Sequence, residues 1–387
     1  MRNIEFPSWP SFTKEDCKAV EKVLLSNKVN YWTGVECQKF EEEFANWVGS
    51  NFAISLCNGT VALELALRAL KLSKDAEVIV TSRSFVASAS SIVNAGAVPV
   101  FADVEVDSQN ISINTIQECV TDKTEAIICV HLAGWPCEMD EIIKFAKDRS
   151  IYVVEDCSQA HGATYKDKSV GSIGDIGCWS FCQDKIMTTG GEGGMVTTNK
   201  QVFWERMWSY KDHGKNFYSI SQGKKNNFMW VHDSIGSNFR MTEIQATLGR
   251  IQLKKMNDWT TKRFANAMRI WEYARKIQGL IVPNVPNHIG HAAYKCYIFL
   301  DLEKISYDRQ KIVEEINANG VPCYSGSCPE IYLEKAFSNI RKSEKRHKNA
   351  ILLGNSSLMF LVHPTLEDRH IQRTCDVLKT VMSKVSN

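Results

Sequence analysis

The sequence predicts an α/β chain in which parallel strands are joined by crossover helices and the sheet is covered on both faces. Three observations carry this. Short β-rich runs alternate with helical patterns through the N-terminal half, near-continuous apolar runs such as AIICV fit strands buried on both sides, and the pattern changes after about residue 260. In chain order, Thr13-x-x-Asp16 has the capping-box spacing that opens an amphipathic helix. The β-rich runs are 52–56, 78–82, 98–104, 126–132, 151–156, 178–181 and 194–198, with helix-like segments at 61–70, 84–95 and 139–147 between them. Thr242-x-x-Gln245 repeats the capping pattern before Ile244, Leu248 and Ile251, which share one helical face. A helical stretch at 262–277, PNVPN, a strand-like run at 294–302, and helices at 309–319 and 367–385 then read as a smaller α+β part. The expected division is a large domain over 1–258 and a small C-terminal domain over 259–387.

Composition narrows the function. Lys and Arg number 46 against 44 Asp and Glu, a net charge of +2, so the concentrated basic surface that nucleic acid requires is not expected. Hydrophobic residues at 44% and charged residues at 23% are ordinary for a globular chain and argue against disorder. The thirteen cysteines are scattered, with no CxxC and no zinc-finger spacing, so reduced thiols and no metal site are expected. The first residues lack an apolar signal core, and no run reaches the roughly 20 apolar residues of a membrane span. A soluble, cytoplasmic protein is the expectation.

In open α/β sheets the ligand sits beyond the carboxyl ends of the strands, and four segments deliver polar residues there. In CNGTVALELAL, Gly59 and Thr60 open a helix whose free N–H groups suit a phosphate, although this segment taken alone reads first as a plain turn capped by Asn58. In VVEDCSQAHGA, Asp156 ends a buried strand, where a carboxylate is costly without a cation or donors; Gln159 and His161 follow. Capping of the next turn through the Ser158 N–H is the alternative for Asp156. In CWSFCQDKIMTTGGEGG, Lys185 follows a strand that carries Ser180 and precedes a glycine-dense turn. A partly buried lysine there is the amine a Schiff base needs, whereas a lone lysine elsewhere is a surface residue. Phe85, after the second strand, is either core or a stacking face for a flat ring.

Taken in order, these motifs resemble the DegT/StrS family of nucleotide-sugar aminotransferases, within the fold-type I enzymes that use pyridoxal 5′-phosphate (PLP). YWTGVECQKFEEEFA, NGTVALELAL, EDCSQAHGA, SFCQDK with GEGG, KDHGK, SNFRMTEIQATLGRIQL, HAAYKCYIF and GNSSLMFLVHPTL carry the likeness over nearly the whole chain. It implies an aspartate aminotransferase-like fold, with a mostly parallel seven-stranded sheet in the large domain and a small α+β C-terminal domain. It also implies that Lys185 carries the internal aldimine and shuttles the proton, and that Asp156 holds the pyridine nitrogen. Gln159 would contact the ring hydroxyl, Phe85 would stack on the ring, and Gly59, Thr60 and Ser180 would bind the phosphate. Asn238 would reach the phosphate from the neighbouring subunit of a homodimer. Trp32, Thr33, Cys182 and His213 match family positions near the substrate, while His291, Tyr294 and Lys295 read as domain-interface residues.

The resemblance implies ping-pong transfer from L-glutamate to the keto group of a nucleotide-linked sugar, with products destined for surface polysaccharide. The turn TTGGEGG is one Gly longer than the TTGEGG of several relatives that aminate C4 of a 4-keto-6-deoxyhexose, which favours C4 over C3. Cys182 departs from the His, Asn or aromatic of many relatives. Dehydrating relatives carry His in place of the Schiff-base lysine, and Lys185 disfavours that reaction here. A non-catalytic binding or regulatory protein on the same fold is the alternative from a different class. A nicotinamide-dependent dehydrogenase lacks its GxGxxG after the first strand.

Overall fold

The computed structural model describes residues 4–221, 231–340 and 346–385. Seven strands form the central sheet: β1 (Phe52–Leu56), β2 (Glu77–Thr81), β3 (Val98–Ala102), β4 (Thr124–Val130), β5 (Tyr152–Asp156), β6 (Ile176–Ser180) and β7 (Gly194–Thr198). Their order is β1-β7-β6-β5-β4-β2-β3. Strands β2 to β6 pair in parallel, as alternating strand and helix patterns require. Strand β7 is antiparallel to both β6 and β1. The segment between β6 and β7 contains no helix, so the chain doubles back where a parallel neighbour would have needed a crossover.

Burial on both faces is visible within single strands. Val78 and Val80 of β2 join the core beneath the helix Gly59–Leu70, while Ile79 joins the core on the opposite face. That helix contributes Ala62, Leu63, Leu65, Ala66 and Leu67 to the same packing. Thr13 and Asp16 form the reciprocal capping box of the helix Lys14–Leu25, and Thr242 and Gln245 do the same for Glu243–Leu253. The face that Glu243–Leu253 buries matches the expected one only at Leu248. Ala246, Thr247, Gly249 and Leu253 are buried with it, whereas Ile244 and Ile251 remain half-exposed. The cause is close approach: a Cβ on Gly249 would lie 2.6 Å from the Phe40 ring, so the small-residue face docks.

Four short strands, β8 (Leu280–Ile281), β9 (Cys296–Leu300), β10 (Cys323–Tyr324) and β11 (Ser357–Phe360), form an antiparallel sheet in the order β8-β9-β11-β10. The helices Met256–Ala274, Arg309–Ala318 and Asp368–Val385 cover it, burying Ile270, Trp271, Ile312 and Leu378 with Ile298 and Phe360. Residue 258 falls inside the first of these helices. Ile331 and Phe337 return to the central-sheet core. Of the charged run 341–348, residues 341–345 lie outside the described residues; Arg346 pairs with Glu330, and Lys348 begins the helix Lys348–Ser356. All thirteen cysteines are free thiols. Among the described residues, no helix is long and apolar enough to cross a membrane.

Candidate active site

The carboxyl ends of β5 and β6 and the start of the helix Gly59–Leu70 open onto a cavity of about 720 Å³. Its wall includes Gly59, Thr60, Phe85, Asp156, Gln159, Ser180, Cys182 and Lys185. Asn58 caps the helix, its Oδ1 accepting from Val61 N at 3.0 Å. The N–H groups of Gly59 and Thr60 belong to the first turn, which has no acceptors within the helix. A Cβ on Gly59 would fall 2.5 Å from the Cβ of Ser180, so helix start and strand end meet with no room for a side chain.

Asp156 is only 4% exposed and is held at both oxygens. Oδ1 accepts from Ser158 N at 3.1 Å, and Oδ2 accepts from Ser88 Oγ at 2.8 Å. The capping geometry and the place on the cavity wall therefore coexist in one residue. A carboxylate offers about four lone-pair directions, so these bonds leave capacity for a third donor. The Gln159 side-chain Oε1 accepts from Ala133 N at 2.9 Å, and Ala133 adopts a left-handed φ of 59°. His161, two residues on, is buried between the rings of Trp179 and Phe181, and neither ring nitrogen has a partner. Burial, reinforced by Lys185 and Arg263, lowers its pKa to about 3, so it packs as a neutral ring.

Phe85 is 64% exposed, unusual for phenylalanine, and its exposed ring lies on the cavity wall. Opposite in sequence logic stands Lys185, whose side chain is 15% exposed. Its backbone N–H donates to Cys182 O at 3.1 Å, and its carbonyl accepts from the Trp9 indole at 2.7 Å. Its Nζ lies 3.8 Å from Asp184 Oδ1 and 5.2 Å from the centre of the Tyr294 ring. Gly190 and Gly191 hold the following turn at φ of 89° and 126°. Cys182 Sγ lies 3.8 Å from Glu192 Oε1, and burial together with that carboxylate raises the thiol pKa.

Four expected site residues lie outside this cavity in the single chain. Trp32, Thr33, His213 and Asn238 are all exposed. Lys215 Nζ sits 4.3 Å over the Trp32 ring, and Thr33 lines a separate cleft beside Glu243 and Arg250. His213 takes a left-handed φ of 61°, and Asn238 pairs through its backbone with Asp212.

Sequence reasoning passed over Ser88, for which no local signal existed, and Asp184, whose adjacency to Lys185 was the signal. Burial raises the Asp184 carboxyl, but Lys185 and the Tyr294 hydroxyl, which donates to Oδ2, outweigh it and hold the group below the usual range. Tyr294 and Lys295 line a second cavity, of about 650 Å³, that shares Phe85, Gln159, Asp184 and Lys185 with the first. Burial lowers the Lys295 ammonium to about 8, with Arg263 and Lys185 adding to the effect and Asp184 opposing it. His131, Glu155 and Cys157 cluster nearby, but both His131 nitrogens and the Glu155 carboxylate are already engaged within the protein.

Residues 10–379 match the family model described as the DegT/DnrJ/EryC1/StrS aminotransferase family. The crystal structure of an aminotransferase from Psychrobacter cryohalolentis superposes with a TM-score of 0.96 and 53% identity, covering 99% of this chain and 100% of that one. The chain is 40% identical over 258 residues to a GDP-perosamine synthase of Escherichia coli O157:H7, covering 66% of this chain and 67% of the relative. It is 36% identical over 252 residues to a dTDP-3-amino-3,6-dideoxy-alpha-D-galactopyranose transaminase of Aneurinibacillus thermoaerophilus, covering 65% and 66%. A family match over nearly the whole length, on a fold and a strand-end cavity of this kind, leads to one conclusion: the chain belongs to the DegT/DnrJ/EryC1/StrS family of PLP-dependent aminotransferases.

Proposed function

We propose that this protein transfers an amino group from L-glutamate to the C4 keto group of a nucleotide-linked 4-keto-6-deoxyhexose, by ping-pong chemistry in the cytoplasm. The observation that carries the reading is one cavity lined by the Lys185 amine, the buried Asp156 carboxylate, the exposed Phe85 ring and the contact between Gly59 and Ser180. These residues fit PLP. Gly59, Thr60 and Ser180 would hold the phosphate at a helix start too tight for a side chain. Asp156, oriented by Ser88 and Ser158, would accept from the pyridine N–H; Gln159 would meet the ring hydroxyl, and Phe85 would cover the ring. PLP, when bound, supplies the electron sink that the transfer needs. Lys185 Nζ would take the proton from the donor Cα and, in the second half-reaction, give one to the aminated sugar carbon.

The same reading places the site at the interface of a homodimer. Exposed Asn238, and with it Trp32, Thr33 and His213, would complete the neighbour's cavity. Each chain divides into a large part and a small part near residue 258. The likeness to a GDP-perosamine synthase supports a C4 ketosugar, and the likeness to a transaminase named for a 3-amino sugar supports C3 as the second reading. Incubation of the holoenzyme with L-glutamate and a panel of GDP-, dTDP- and UDP-linked ketosugars, with products read by mass and NMR, separates them. An amino group at C4 is expected; at C3 it establishes the second reading, and no aminated product with any sugar refutes both.

A further inference from the structure

We propose that Lys295 anchors the carboxylate of the amino donor, in the arm of the cavity that continues past Lys185 towards Tyr324 and Ser327. The proposal rests on the transaminase reading above and adds to it the residue that selects an α-amino acid as donor.

Lys295 immediately precedes β9 and lies half-buried on the wall of the second cavity. Its Nζ is 4.9 Å from the centre of the Tyr294 ring, and the Nζ of Lys185 is 5.2 Å from the same centre. Two ammonium groups therefore flank one aromatic ring. The nearby carboxylate is already committed. Asp184 Oδ2 accepts from the Tyr294 hydroxyl, and Oδ1 lies 3.8 Å from Lys185. Among the described residues, the Lys295 ammonium itself has no hydrogen bond and no ion pair.

A further cation adjoins them. Arg263 is 2% exposed and lies 4.9 Å over the Trp9 ring; one NH group reaches Tyr294 O at 3.3 Å, while Nε and the other NH2 have no hydrogen-bond partner. With Lys185 engaged by the cofactor, Lys295 and Arg263 remain as two cations beside one aspartate already bonded to Tyr294, an arrangement that is costly unless an anion joins it. The other carboxylate on the wall, Glu334, is engaged by the Cys328 thiol at 3.7 Å.

The choice of anion follows from connectivity. In an α-amino acid the carboxylate and the amine are bonded to the same carbon, so an amine delivered to the position of Lys185 brings its carboxylate alongside. An ammonium flanking the same ring as Lys185 is placed for that group. The diphosphate of a nucleotide sugar is separated from its C4 keto carbon by the width of the pyranose ring, and the sugar hydroxyls carry no charge to match.

The test uses the holoenzyme in separate half-reactions followed by cofactor absorbance. With Lys295→Met, the L-glutamate concentration giving half-maximal rate should rise at least tenfold, while the ketosugar concentration dependence and the cofactor absorbance without donor stay as in the unaltered protein. Lys295→Arg should restore most of the glutamate response. Unchanged glutamate dependence in Lys295→Met overturns the proposal. So does a rise confined to the ketosugar arm, which assigns Lys295 to the diphosphate. If the unaltered holoenzyme itself does not respond to glutamate, the transaminase reading has failed instead.

Discussion

Gly59 and Ser180 stand so close that a Cβ on the glycine would lie 2.5 Å from the serine Cβ and 2.9 Å from its hydroxyl oxygen. The first turn of a helix and the end of β6 are thereby brought to one point, where under the proposed function free N–H groups and a hydroxyl would hold the same small anion. Gly59→Ala should therefore push these two elements apart. Its expected effect is at least a tenfold weaker hold on PLP, measured by cofactor titration, with the far-ultraviolet circular dichroism unchanged. Ser180→Ala, which removes a donor without adding bulk, should weaken binding less.

Asp156 depends on Ser88 for its orientation, through the 2.8 Å bond to Oδ2. Asp156→Asn keeps the shape but removes the negative charge facing the cavity. Turnover at saturating PLP should fall about a hundredfold or more, the scale seen when one well-placed electrostatic partner of a reacting group is lost. Ser88→Ala should lower turnover less, because Ser158 N still holds Oδ1. Equal activity of Asp156→Asn and the unaltered protein would remove Asp156 from the proposed chemistry.

Acid should unfold the protein through its buried histidines. Burial lowers His161, His291 and His363 from the ordinary 6.5 to about 3, with nearby cations contributing at His161 and His363. Between those values the unfolded chain binds protons that the folded chain refuses. Stability from this source is complete above about pH 6.5 and is lost as pH falls towards 3, by about 1.4 kcal/mol per pH unit for each histidine. His161 makes no hydrogen bond through either ring nitrogen, so His161→Phe should fit between Trp179 and Phe181. Urea midpoints measured from pH 7 to 5 should fall less steeply in that variant; an identical slope would contradict the assignment.

Glu155 is the structural counterpart of its neighbour Asp156. Its buried carboxylate accepts from Gly171 N at 2.9 Å, Ile173 N at 2.9 Å, Gly174 N at 2.7 Å and His131 Nε2 at 3.0 Å. Glu155→Ala strands three backbone donors at about 1–3 kcal/mol each, so a loss of roughly 3 kcal/mol or more is expected in urea unfolding.

The central sheet was legible because buried parallel strands are apolar throughout, and all seven runs fall within about two residues of the observed strands. The reversal of β7 was not, since direction is decided by the missing helix between Ser180 and Gly194 rather than by the strand itself. Nor was the docking face of Glu243–Leu253, where the small side chain of Gly249 against Phe40 overrides the apolar stripe of Ile244 and Ile251. In the cavity, Gly59, Asp156 and Lys185 announced themselves by position at strand ends, and Asp184 could have been found by its adjacency to Lys185. Ser88, and the bond that joins Tyr294 to Asp184, depend on partners far away in sequence, and such bonds leave no local pattern. Trp32, Thr33, His213 and Asn238 matched a family pattern, but one chain alone does not bring them to the cavity.

The most direct measurement compares the unaltered holoenzyme with Lys185→Ala, following 2-oxoglutarate released from L-glutamate in a single turnover alongside the visible absorbance of the bound cofactor. The unaltered protein should release about one equivalent per cofactor-loaded chain as its absorbance shifts, and Lys185→Ala should do neither at a comparable rate while still binding PLP. Release of 2-oxoglutarate from Lys185→Ala at the unaltered rate would contradict the role of Lys185 and, with it, the proposed reaction.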